Sequence, residues 1–235
     1  MTKSVAILTP ALGGMIHIQN AHSVTNALFH LKEQGWTIGW LNYGNVASVT
    51  KARNAMISEA LTQGFENIVF IDADIAFAPA TLTRLLQHDL DLVAGAQKTN
   101  TNNATRQFPY AVETLDGKML LNQDGITEVA AVSTAFMRLR TRAIREFMLE
   151  VPHLKYADDQ VAGWEHTLYA LFEHRLTPHP RLKGHQKYSG EDYSFCYLWR
   201  QHGRKVFLDT QLPLRHIKTV NLDGKPLQSL MKEAT

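Results

Sequence analysis

The residues best suited to chemistry in this chain are carboxylates that come in close pairs. Asp72 and Asp74 flank Ala73 at the end of the apolar run Ile68-Val69-Phe70-Ile71. Separated by one residue, both carboxylates leave an extended strand on the same side. Two like charges held together are costly unless a cation neutralises them. A hard divalent ion such as Mg2+ or Mn2+ takes oxygen ligands and can bind phosphate oxygens at the same time. The pair reads equally as two solvated aspartates in a loop. A second pair, Glu191-Asp192, follows Gly190 where a helix over 191–202 begins. Carboxylates in a first helical turn are favoured by the helix dipole and often only cap it. An aspartate held there can also act as general base toward an acceptor hydroxyl. His216, just after Leu212-Pro213-Leu214-Arg215, is either a structural histidine or, beside a metal-binding carboxylate, a further ligand through its neutral imidazole.

Positioning these groups requires a scaffold, and the hydrophobic pattern supplies one. Short continuous apolar runs at 5–8, 37–41, 68–71 and 92–94 read as buried parallel strands. Between them, helices are expected over 20–33, ended by Gly35, over 48–63, ended by Gly64, and from Pro79, with Leu82, Leu85 and Leu86 on one face. Strand and helix alternate to residue 95, which means βαβ units and a mostly parallel sheet. In such sheets ligands gather beyond the carboxyl ends of the strands, where Asp72 and Asp74 stand. The rhythm then changes: a polar Asn/Thr loop over 100–105, irregular strands over 108–138 with 129–139 the clearest, and a helix over 141–150. Residues 152–188, with five histidines and little periodicity, read as a long loop excursion, and long loops in compact domains are usually functional or mobile. A helix over 191–202, stopped by Gly203, a strand at 206–208 and a polar tail after 219 complete the chain.

The 235 residues fit one α/β domain, and 45% apolar content can bury a sizeable core. One cysteine excludes a disulfide framework and any multi-cysteine metal site, and Cys196 beside Phe195 and Trp199 reads as core. With 24 Lys+Arg against 22 Asp+Glu, the charge is too balanced for a nucleic-acid coat. No apolar run approaches the roughly 20 residues that span a bilayer, and no signal-peptide core precedes Thr9-Pro10, so a soluble cytoplasmic protein is expected. Gly13-Gly14 after the first strand is not a dinucleotide fingerprint.

The order of these features along the chain resembles that of metal-dependent glycosyltransferases of the GT-A fold, most of all the small bacterial and phage-type ones. The resemblance runs over nearly the whole length: V-A-I-L-T-P at 5–10, V-T-K-A-R-N-A at 49–55, I-V-F-I-D-A-D-I at 68–75, V-S-T-A-F-M at 132–137, G-E-D-Y-S-F-C at 190–196 and G-R-K-V-F-L-D-T…L-R-H-I at 203–217. It implies a GT-A, Rossmann-like central sheet flanked by helices, a nucleotide-sugar-binding half at 1–97 and an acceptor-binding half at 98–219. It implies a nucleotide-diphosphate sugar donor, an acceptor hydroxyl, and Mn2+ or Mg2+. Residue by residue, Thr9 and Pro10 would line the base pocket, and Arg53 and Asn54 would face the nucleotide. Asp72 would contact the ribose or the metal through water, with Ala73 beside it in the donor site. Asp74 would bind the metal directly, and His216 would complete the protein's share of its shell. Asp192 would be the catalytic base of an inverting transfer, with Glu191 binding donor sugar or acceptor. Two departures stand out. Ala135 occupies a position usually held by Gly, and Lys218 follows the final His-Ile pair where a Gly is common.

Weaker candidates surround this set. His174, His179 and His185 are spaced too widely for an ordinary zinc site. Lys98 would touch a phosphate or acceptor, or stay solvated. A base in duplex DNA as acceptor would require flipping and a local basic surface, for which lysines and arginines at 98–106 and 181–187 are the candidates. Two other classes compete: a nucleotidyltransferase, for which T-P-A-L-G-G-M at 9–15 lacks a basic residue, and a catalytically silent sugar-nucleotide or glycan-binding module.

Overall fold

The computed structural model of the chain describes residues 3–44, 48–99, 109–117, 122–157, 168–179 and 182–218. The 100–105 loop, Arg106, Arg181 and the tail after 219 lie outside the described residues. In chain order the elements are β1 (Ser4–Pro10), α1 (Ile18–Glu33), β2 (Thr37–Tyr43), α2 (Val49–Thr62), β3 (Asn67–Ile71), β4 (Ile75–Ala76), α3 (Pro79–Gln87), β5 (Leu92–Ala94), β6 (Val112–Glu113), β7 (Ile126–Val129), β8 (Ala131–Val132), β9 (Phe136–Arg140), α4 (Thr141–Glu150), β10 (Arg175–Pro178), β11 (Gln186–Ser189), α5 (Glu191–Gln201), β12 (Val206–Asp209) and β13 (Arg215–His216).

Seven strands form one sheet in the order β2-β1-β3-β9-β5-β12-β7. β2, β1, β3, β5 and β12 run one way, while β9 and β7 run against them. The mostly parallel α/β sheet read from the sequence is therefore present. Alternation along β1 explains the layering. Ala6 and Leu8 join a core with Met56 and Ile57 of α2, Phe147 of α4 and Phe195 and Trp199 of α5. Val5 and Ile7 point to the opposite core, shared with Val24 and Leu31 of α1 and Leu82 and Leu85 of α3. Both sheet faces are covered, which is why the central strands read as continuous apolar runs rather than alternating ones.

Local chemistry sets the ends of these elements. Ser48 caps α2 by accepting from the Lys51 amide at 3.2 Å. Pro79 opens α3 at its first turn. Gly35 and Gly64, at φ 78° and 79°, take the left-handed conformation that closes α1 and α2.

The expected single strand over 129–139 is instead β7, β8 and β9, broken at Ser133–Ala135. The break has a cause: the Ala135 carbonyl accepts the Asp72 amide at 3.0 Å, and Ser133 Oγ takes the Ala135 amide at 3.1 Å. The chain turns there to hold the end of β3. The excursion over 152–188 is also less irregular than its sequence suggested, because Arg175–Pro178 and Gln186–Ser189 pair as the antiparallel strands β10 and β11. Its strands lie under α5 through Thr177 and Ser189, small polar residues that carry no apolar signature.

Candidate functional site

The two aspartates at the end of β3 sit in a tight turn in which the Ile75 amide donates to the Asp72 carbonyl at 3.0 Å. Asn20 of α1, fully buried, donates its amide nitrogen to the carbonyls of both Asp72 (2.9 Å) and Ile75 (2.7 Å). Ser23, one helical turn on, accepts the Phe77 amide at 3.1 Å. The first helix thus clamps the turn from below. Ala73 takes part through its backbone, its carbonyl accepting the His17 amide at 3.0 Å. Sequence reading passed over Asn20 and Ser23. The available signal was two polar residues on the buried stripe that continues through Val24, Ala27 and Leu31.

Within this turn the two carboxylates face different partners. Asp72 Oδ1 accepts from Arg53 Nη2 at 3.1 Å. Arg53 is only 4% exposed, lies 5.4 Å over the Phe70 ring, and brings its Nε to 3.4 Å from Glu191 Oε1. One guanidinium therefore joins the end of β3 to the start of α5. Its Nη1 and Nε have no hydrogen-bond partner although both are buried. Donors left unmade inside a protein are costly, so they mark a place where ligand acceptors fit.

Asp192 stands beside this bridge. Burial pushes its carboxyl up to about 6, and the neighbouring Glu191 charge adds to that, against the Tyr193 amide (2.8 Å from Oδ1) and Arg53, which favour the carboxylate. Asp72 is also near enough to raise it. A carboxyl titrating near neutrality suits proton transfer. Gly190 leaves it room, since a Cβ there would stand 3.2 Å from Asp192 Oδ1.

Asp74 turns to the other side. β13 pairs with β4 so that His216 lies opposite Ile75, and the Ile217 amide donates to the Asp74 carbonyl at 2.8 Å. Gly95 lets this distant segment pass, because a Cβ there would meet Leu214 Cδ1 at 3.0 Å. His216 Nδ1 lies 2.7 Å from the Lys98 carbonyl oxygen and must be the N–H donor to it. Nε2 then faces Asp74 Oδ2 at 3.0 Å. With both ring nitrogens protonated this contact is an ion pair, and with a neutral ring it sets an imidazole lone pair beside a carboxylate oxygen. A metal-binding histidine typically has this arrangement, its other ring N–H given to a backbone carbonyl. Lys218 brings its ammonium to 3.3 Å from the same Asp74 oxygen. The donor set fits a divalent cation that accepts both oxygen and nitrogen. It stops at two side chains, since no group of three or more His, Cys, Asp or Glu placed to hold a metal occurs among the described residues. Of the three residues expected around the metal, Asp74 and His216 meet directly, while Asp72 Oδ1 is engaged by Arg53.

The remaining expected residues are placed as follows. Thr9 is fully buried, and its hydroxyl accepts the Trp40 indole N–H at 3.0 Å, so it supports the end of β1 from within. Pro10 ends that strand, half-buried beside Tyr43. Asn54 turns away from Arg53: its carbonyl oxygen takes the Phe172 amide at 3.0 Å and its nitrogen reaches Glu173 at 3.1 Å, pinning the 168–174 segment to α2. Lys98 contributes backbone to the site while its residue is exposed. Lys187, one of the cations considered for nucleic-acid contact, is ion-paired with Glu113. Cys196 is buried, and burial pushes its thiol up to about 12.

No protein-family model matches the chain, and no curated protein matches it in sequence. Among solved structures, protein A197 from STIV superposes with a TM-score of 0.53 at 13% identity, covering 93% of this chain and 87% of its own. A mutant Drosophila beta-1,4-galactosyltransferase 7 in complex with manganese, UDP-Gal and xylobiose gives a TM-score of 0.47 at 12% identity, over 98% of this chain and 79% of its own. The inositol-1-phosphate CTP transferase from T. maritima gives 0.45 at 10% identity, over 99% and 96%. The first of these speaks to the fold, and the other two are too distant to carry an argument. Among the described residues no helix is long and apolar enough to cross a membrane.

Proposed function

We propose that the chain is a GT-A-type glycosyltransferase, moving a sugar from a nucleoside-diphosphate sugar to an acceptor hydroxyl with Mn2+ or Mg2+ at Asp74 and His216. The observation that carries this reading is the split of the two β3 aspartates at the carboxyl end of a mostly parallel sheet. Asp72 is held by the buried Arg53, and Asp74 meets His216 Nε2 at 3.0 Å on the other side of the turn.

A bound divalent cation would offset the charge that builds on the leaving diphosphate. The Asp74 oxygen and His216 nitrogen would hold it, and a mixed O/N pair suits Mn2+ better than Mg2+, which favours oxygen alone. Arg53 would turn its unbonded Nη1 to the donor, and Asp72 would meet the ribose. Pro10, Ala73 and Lys98 would border the nucleotide, with Thr9 and Asn54 supporting the walls. Asp192, ionised above pH 6, would take the proton of the attacking hydroxyl in a single inverting displacement. Glu191 would hold donor or acceptor through its free lone pairs. On this reading residues 1–97 bind the donor and 98–219 the acceptor.

A thermal-shift panel of nucleoside-diphosphate sugars, each with Mn2+, Mg2+ or chelator, tests the proposal. A ligand at 100 times its Kd stabilises by about 2.7 kcal/mol, several degrees for a chain of this size. The expected result is a metal-dependent shift lost in Asp74→Asn, followed by release of nucleoside diphosphate with an acceptor. Failure of every nucleoside diphosphate and metal combination overturns it. A shift with nucleoside triphosphates alone would favour nucleotidyl transfer, and donor binding without release would favour a binding module.

A further inference from the structure

The hairpin β10–β11 separates two kinds of residue by strand alternation. Its inward face is fastened. The hydroxyls of Thr177 and Ser189 meet at 2.7 Å, and Ser194 of α5 donates to the Ser189 carbonyl at 3.2 Å and accepts the Arg175 amide at 3.1 Å. Its outward face carries Leu176 and Tyr188, direct cross-strand partners that are 61% and 74% exposed. The Tyr188 ring lies nearly parallel to the His174 ring, with centroids 5.5 Å apart and an interplanar angle of 20°. His174 Nε2 in turn lies 3.8 Å from Glu191 Oε2. A flat, rigidly backed aromatic surface therefore begins at the Glu191 carboxylate, and its tyrosine is four residues before Asp192.

We propose that Tyr188, backed by His174 and flanked by Leu176, is the platform on which a sugar ring of a carbohydrate acceptor stacks; its place in catalysis rests on the transferase reading above. One face of a pyranose presents C–H groups of partial positive charge, which pack against the negative face of an aromatic ring. The hydroxyls of a ring so stacked radiate in its plane, within reach of acceptors such as Glu191. A nucleobase would stack as well, but its phosphates would stand beside the Glu191 and Asp192 carboxylates. The nearby cation Lys187 is committed to Glu113 on the hairpin's inward side. The charges around the platform select a ligand rich in hydroxyl groups and free of phosphate.

Saturation-transfer NMR on the full chain, with gluco-, galacto-, manno- and xylo-configured di- and trisaccharides and a twelve-residue oligo(dT), tests this. At least one oligosaccharide should bind through the protons of one ring face. Tyr188→Phe should retain it and Tyr188→Ala should weaken it roughly tenfold, while the thermal shift with UDP and Mn2+ stays the same in both variants. Equal glycan affinity in Tyr188→Ala, silence across the whole saccharide panel, or capture of oligo(dT) in its place would overturn the proposal. Glycan binding through Tyr188 in a chain that ignores every nucleotide would sink the transferase reading and leave the platform standing.

Discussion

Two clusters of aspartate, histidine and a cationic side chain are built on this sheet, and they differ in how completely their hydrogen bonds are made. At the end of β12, Asp209 is buried and surrounded: Arg84 Nε at 2.6 Å and His88 Nε2 at 2.8 Å meet Oδ2, and the Gln211 amide at 2.9 Å meets Oδ1. Arg84 reaches on to the Asp124 carbonyl, so the cluster locks α3 to β12 and the turn before β7. At the end of β3 the same residue types are unfinished. Arg53 buries its Nη1 without a hydrogen-bond partner, Asn20 buries an amide oxygen without one, and Asp74 faces a histidine nitrogen and an ammonium. Buried polar groups are normally satisfied, so the exceptions carry information. On the proposed reading, the saturated cluster serves stability and the unsaturated one a ligand.

Removing a partner from the saturated cluster should have the largest effect on the fold. Asp209→Ala removes the hydrogen-bonded partner of Arg84 and His88; because Arg84 is partly solvent-exposed, the loss is about 1.5–3 kcal/mol, which should lower Tm by several degrees in a melting experiment. Burial pulls the Asp209 carboxyl up, but Arg84, the Gln211 amide and His88 outweigh it and hold it below the usual carboxylate range. Its contribution is therefore present above that range and lost as pH falls through the depressed value. An unchanged Tm in Asp209→Ala would erase the contrast.

At the unsaturated cluster the main loss should be in rate. Asp192→Asn should cut transfer by about 10²–10⁴ while leaving donor binding intact, and wild-type transfer should climb with pH along a limb near 6. Its stability effect runs opposite to that of Asp209. The folded chain keeps a proton up to about 6 that the unfolded chain releases near 3.8, so wild-type stability falls between those values. Asp192→Asn should thus melt higher than wild type at pH 7 and no higher at pH 3; an Asn variant that transfers at the wild-type rate would remove Asp192 from the mechanism. Smaller effects are expected at the supports. Asn20→Ala gives up two hydrogen bonds to the aspartate turn, about 1–3 kcal/mol by denaturant titration, with donor KM rising more than acceptor KM. Lys218→Ala removes an exposed pairing worth less than about 1 kcal/mol. Because the ammonium competes for Asp74, Mn2+ affinity should rise a few-fold, and a fall would make Lys218 part of the site.

The parts of the fold legible in the sequence are those where one physical signal dominates. β1, β3 and β5 are buried on both sides and read as unbroken apolar runs, and Gly35 and Gly64 end their helices visibly. The strand over 129–139 misled because Ser133 and Thr134 are small residues a strand accommodates, and nothing local marks the turn they make to contact the Asp72 amide through Ala135. The hairpin β10–β11 hid for a related reason, packing through hydroxyls. In the site, the Asp72/Asp74 spacing announced itself, but which partner each aspartate takes depends on His216, 142 residues away from Asp74. Asn54, adjacent to Arg53 in the helix and about 100° around its axis, takes partners the sequence does not announce, Phe172 and Glu173, 118 and 119 residues away.

The central claim, that Asp74 and His216 form an unfinished pair completed by a cation and a diphosphate, is tested most directly by the free Mn2+ signal in electron paramagnetic resonance. With UDP present, wild-type protein should quench that signal, Asp74→Asn and His216→Ala should not, and Asp209→Asn should quench it as wild type does. Quenching that survives in Asp74→Asn, or wild-type protein that leaves the signal untouched with every nucleoside diphosphate, would contradict the account.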